Sequence, residues 1–234
     1  MSHFLLIVAV IGVLYVANVV NNRLVDKSYL LICFIATAVL ILIARLDGLT
    51  WTDLGLGHST WVQGLIWSAW VALAVLAFYA IAASIPATRK GFGDKRAAEQ
   101  SLINLCYESM IRIPLGTALL EEVAFRAVLL AVVWAEWGQW WGVIVSSVLF
   151  GFWHVFPSLE FHENNESAQL LGEGRSAQVR SVVLTVLFTG AAGVGFCMLR
   201  IWSDSLFPPF VLHAFLNGIG VAVTWAFARS LREL

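Results

Sequence analysis

The sequence predicts an all-α fold, a polytopic transmembrane bundle of about seven spans with a polar cavity inside the membrane. Three observations predict it. The 234 residues are 60% hydrophobic and only 12% charged, about half the charge load of a soluble domain. Mean hydropathy is +0.83, and the apolar residues gather into runs near the 20 or so residues that cross a hydrocarbon core. Several ionisable residues nevertheless fall inside those runs. The runs leave too little chain for a separate soluble unit, so residues 1–234 form one integral membrane domain.

The first run, 4–20, lacks the positively charged start and small-residue cleavage site of a secretory signal, which makes it an uncleaved helix. The second, 29–44, is short and ends at Arg45, whose stem extends it by snorkelling. The third is 62–85. The fourth, 111–135, carries Glu121, Glu122 and Arg126 near its middle. The fifth, 138–157, contains Phe150 and His154, and the sixth covers 181–199. The seventh, 206–228, opens near Pro208-Pro209 and carries His213 and Asn217. Small residues at Ala191/Gly195 and Gly218/Ala222 have the spacing that lets helix backbones approach closely.

Lys and Arg set the orientation. Arg23, Lys27, Arg89, Lys90, Lys95, Arg96, Arg112, Arg175, Arg180, Arg229 and Arg232 fall on one side, against Arg45 and Arg200 on the other. This places the N-terminus outside and the C-terminus in the cytoplasm. Trp51, Trp61, Trp134, Trp137, Trp140, Trp141 and Trp202 form an interfacial belt at the outer face. With a net charge of −1 and no basic block, nothing points to nucleic acid; the expected partners are membrane lipid and a protein or peptide substrate. Cys33, Cys106 and Cys197 show no ligand spacing, and the two that lie inside apolar runs read as small hydrophobes.

The fourth span decides the function class. A central charge in a membrane helix costs about 2.5–3.5 kcal/mol, so Glu121, Glu122 and Arg126 need partners. Glu122 and Arg126 are four apart and can pair on one face. Glu121 lies about 100° around the helix and is left over, in the position of a general base. His154, His213 and Asn217 add imidazole and amide donors. With no Ser or Cys beside a base, this inventory points to activated water and hydrolysis, with donors for a tetrahedral oxyanion.

At these residues the chain resembles the CPBP family of membrane proteins, named for CAAX prenyl proteases and bacteriocin-processing enzymes and also called the Abi family. Three motifs match in order: Glu121-Glu122-x-x-Phe125-Arg126, Phe150-x-x-x-His154 and His213-x-x-x-Asn217. They lie within 118–220. The upstream Trp51-Thr-Asp53-Leu-Gly-Leu-Gly is similar to a segment common before the family core. Ala127 departs from the Gly that many members carry there.

The resemblance implies an intramembrane glutamate-dependent endopeptidase that hydrolyses a peptide bond near a substrate terminus. Glu121 and His154 would activate the water, His213 and Asn217 would form the oxyanion site, and Glu122, Arg126 and Phe150 would support the geometry. No metal is expected, although Glu, His, His and Asn are a set that can hold Zn²⁺. A non-catalytic immunity or assembly protein and a proton-coupled transporter are the alternatives. Simple depth counting sets Glu121 and His213 too far apart to meet, so the segment Ser203–Pro209 is expected to dip inward before the last helix, with a water-lined cavity open to the cytoplasm.

Overall fold

A computed structural model describes residues 3–21, 28–89, 92, 99–164 and 174–230. Among these the chain is helical, with no strand. Helices satisfy every backbone polar group within the segment, which hydrocarbon demands. The elements are α1 (His3–Val19), α2 (Tyr29–Leu46), α3 (Trp61–Ser84), a short α4 (Pro86–Arg89), a long rod from Leu102 to Trp137, α8 (Gln139–Trp153), α9 (Val155–Asn164), α10 (Arg175–Ser203) and α11 (Phe207–Ser230).

Among the described residues five helices are long and apolar enough to cross a membrane: Tyr29–Leu46, His58–Ser84, Gln139–Leu159, Arg175–Ser203 and Phe207–Ser230. The shorter apolar α1 and the rod make up the seven expected spans. The chain is an integral, multi-pass membrane protein. Of the cations that set its expected orientation, Arg23, Lys27, Lys90, Lys95, Arg96 and Arg232 lie outside the described residues.

The rod is not a plain α-helix. Its pieces are α5 (Leu102–Tyr107), a π-helical stretch (Glu108–Ala118), α6 (Leu119–Glu122), a second π-helical stretch (Val123–Leu129) and α7 (Leu130–Trp137). Pro114 sits in the first π stretch, where its missing N–H breaks the regular ladder. Residues 120 to 133 are buried without interruption, as a helix enclosed on every side must be. Packed against them are Leu6, Val10 and Leu14 of α1, Leu40 of α2, and Phe196 of α10.

The small-residue expectation holds for α11 and is corrected for α10. Gly218 does permit a close approach, since a Cβ there would stand 2.7 Å from the carbonyl oxygen of Ser109. Gly195 meets nothing within 4 Å. The tight face of α10 is instead Gly190 and Gly193, against Gly151 and Ser147 of α8. Four-residue spacing identifies a stripe, but only tertiary packing selects which stripe of α10 faces α8.

Candidate active site

The rod turns into α8 at Gly138, whose φ of 93° suits glycine. Glu121 and His154 stand 17 and 16 residues from that turn, so the two antiparallel arms carry them to one depth. α8 ends at Trp153 and the chain bends at His154 before α9 begins. Across the site, α10 ends at Ser203 and Asp204 adopts a left-handed φ of 50°. α11 then starts at Phe207.

The turn between them is buried at Ser203, Ser205 and Leu206. Ser203 Oγ accepts from Ser205 N–H, Ser205 Oγ accepts from Phe207 N–H, and Leu206 N–H donates to the Gly55 carbonyl. The non-helical backbone of this turn is therefore hydrogen-bonded within the protein and covered by the 47–57 segment. α11 starts at Phe207, six residues before His213, and His213 reaches Glu121 despite the depth counting.

Three of the four expected side chains meet. Glu121 Oε2 lies 3.8 Å from His213 Nε2 and 3.9 Å from His154 Nε2. Oε2 is buried and has no hydrogen-bond partner among the described residues. His154 Nδ1–H donates to the Phe150 carbonyl at 2.8 Å; because a carbonyl only accepts, this fixes the tautomer and leaves Nε2 as the ring's reactive atom. Asn217 stands one turn beyond His213 with its side chain exposed, and it makes no hydrogen bond among the described residues.

Behind this trio lies the expected ion pair. Arg126 Nη1 donates to Glu122 Oε1 at 3.0 Å, both side chains fully buried. The same oxygen accepts from His213 Nδ1–H at 2.7 Å. The guanidinium carbon sits 3.9 Å from the Phe150 ring centroid and 4.6 Å from that of Phe196. Arg126 Nε and Nη2 have no hydrogen-bond partner among the described residues; the two aromatic faces offer the cation their negative quadrupoles instead. Phe150 also contacts both imidazoles, at 4.7 Å from His154 and 6.2 Å from His213 between ring centroids.

Two residues of this site escaped sequence reasoning. Trp153 Nε1–H donates to Glu121 Oε1 at 2.9 Å, so one carboxylate oxygen is held while the other faces the imidazoles. Its other edge lines an apolar groove of about 300 Å³ between α1 and α8. The available signal was a Trp beside a motif histidine, since a buried indole N–H requires an acceptor. Phe196, the second ring over Arg126, carries no local signal.

A family profile described as type II CAAX prenyl endopeptidase Rce1-like matches residues 105–219. The chain belongs to the CPBP/CAAX protease family. At family level it is a CAAX-type membrane endopeptidase. No curated protein and no solved structure gives a significant match. The span shared with the CAAX proteases contains each of the side chains described above, from Glu121 to Asn217.

Proposed function

We propose that this CAAX-protease family member is a glutamate-dependent intramembrane endopeptidase acting on a protein or peptide substrate near one terminus. The observation that carries the reading is the convergence of His154 Nε2 and His213 Nε2 on the unpartnered Glu121 Oε2, within 3.9 Å. A water bridging Glu121 Oε2 to either imidazole Nε2 at about 2.8 Å has ordinary hydrogen-bond lengths.

In this mechanism Glu121 and His154 take a proton from that water as it attacks the peptide carbonyl. The carbonyl π electrons move onto oxygen, and His213 Nε2–H and the Asn217 amide receive the oxyanion. Glu122, at His213 Nδ1, supplies the counter-charge that a doubly protonated ring needs. Collapse of the tetrahedral intermediate breaks the C–N bond, and the proton held at Glu121 or His154 passes to the leaving amine. Asn217 enters this geometry with the substrate.

The reaction is proposed to need no metal. Tetrahedral zinc with ligand bonds of 2.0–2.1 Å sets neighbouring ligand atoms about 3.4 Å apart, tighter than the 3.8 and 3.9 Å separations at Glu121 Oε2. We further propose that the Gly138 end faces outward and that substrate enters from the cytoplasmic side, where His154 and Asn217 are accessible. Purified protein incubated with a peptide library tests the proposal: cleavage persists with chelator and vanishes in Glu121→Gln. Cleavage by Glu121→Gln, or loss of cleavage on chelation, overturns the corresponding part.

A further inference from the structure

A second polar pocket lies at the Gly138 end of the bundle, away from Glu121. It encloses about 380 Å³ and is lined by Thr52, Asp53, Trp134, Ala135, Arg200 and Asp204 among others, a volume within the range of small-ligand sites. Arg200 is only 7% exposed. Its Nη2 donates to the carbonyls of Asp53 at 3.0 Å and Thr52 at 3.4 Å. Its Nε is packed on Gly55, where a Cβ would stand 2.1 Å away, and has no acceptor among the described residues.

The remaining terminal nitrogen, Nη1, makes no hydrogen bond among the described residues. Anchoring the 47–57 segment accounts for the Nη2 bonds. Asp204 and Asp53 balance the charge of Arg200, and Asp53 Oδ2 also accepts from the N–H and Oγ1–H of Thr50, but neither gives Nη1 an acceptor in the pocket that both carboxylates line.

The depth of the pocket narrows the choice of ligand. Trp51, Trp134, Trp137, Trp140 and Trp202 are all exposed around this end, the signature of the headgroup layer. The species concentrated there is phospholipid. One buried cation beside two exposed carboxylates and an indole face complements a zwitterion. A primary ammonium gives N–H donors to carboxylates and a cation to the Trp134 face, whereas a quaternary ammonium has no N–H to give. A glycerol headgroup brings no positive charge at all.

We propose that this pocket binds the headgroup of a phospholipid bearing a primary amine, its phosphate on Arg200 and its ammonium between Asp53 and Asp204 against Trp134. The proposal is independent of the peptidase reading, since none of these residues touches Glu121 or either histidine.

Native mass spectrometry of the purified full chain, with synthetic ethanolamine, choline and glycerol phospholipids of identical acyl chains, measures the preference. The ethanolamine lipid is expected to be retained about fivefold more tightly, the equivalent of one modest charge-assisted contact. Asp204→Asn keeps a residue that tolerates the left-handed backbone, and Ala135→Leu fills the pocket from an exposed position. Each should reduce the preference below about twofold while the protein still elutes as a folded species. Phosphoethanolamine should compete for the site better than inorganic phosphate. Equal retention of the three lipids, a preference unchanged in both variants, or competition by phosphate as effective as by phosphoethanolamine overturns the proposal.

Discussion

Replacing Glu122 by Gln should destabilise the bundle by about 3–5 kcal/mol, because it leaves the Arg126 cation buried without its counter-charge. The structure supports this size of effect. Both partners are fully buried, so no water compensates, and Glu122 Oε1 accepts two hydrogen bonds at once, from Arg126 at 3.0 Å and His213 at 2.7 Å. A Gln preserves shape and one acceptor while removing the charge. The Phe150 and Phe196 rings flank Arg126 in both proteins, so their contribution cancels in the comparison.

Arg126→Met in the same background removes the orphaned cation and fills the space between the rings with a polarisable side chain. The double variant should therefore recover about 2–3 kcal/mol relative to the sum of the single effects. Reversible unfolding in mixed micelles, titrated with a denaturing detergent, measures all four members of the cycle. A Glu122→Gln protein within about 1 kcal/mol of the parent, or a double variant whose losses simply add, refutes the account of a mutually dependent buried pair.

Glu121→Gln should abolish hydrolysis, about 10³-fold or more for loss of the general base, with an unchanged unfolding midpoint. Trp153→Phe keeps the ring packing on Phe125 and deletes the donor to Glu121; kcat should fall about tenfold with KM nearly unchanged, the pattern of a positioning residue. Asn217→Ala should leave stability within about 0.5 kcal/mol, since the side chain is exposed, yet lower kcat about 10²-fold as an oxyanion donor is lost. Gly55→Ala should cost roughly 2–5 kcal/mol in the same unfolding assay, from a Cβ at φ +71° that collides with the Arg200 guanidinium.

Much of the site was legible because charges are expensive in lipid. Glu121, Glu122 and Arg126 stood out for their cost alone, and the four-residue spacing of Glu122 and Arg126 matches the observed pair. The identity of His213's partner was not legible. Its Nδ1 meets Glu122 from another helix 91 residues away, and no local periodicity encodes that. Trp153 and Phe196 were invisible for a related reason: in a chain this rich in aromatic residues, one that holds a carboxylate looks like one that faces lipid. The spans were readable to within a few residues for α3 and α11, but the rod was cut short at its start. Leu102–Tyr107 and the Pro114 region mix polar residues with apolar ones, and hydropathy does not reveal a helix wound partly as π.

The hairpin that folds back at Gly138 acts as a ruler. Adding or removing one residue in either arm between Glu121 and Trp153 would rotate everything beyond it by about 100° and slide it about 1.5 Å, carrying the carboxylate away from the indole and imidazole it serves. Length in that stretch is therefore fixed more tightly than composition. Inserts meant for fluorophores or affinity tags belong in other connections, and a swapped-in hairpin must match both arms residue for residue.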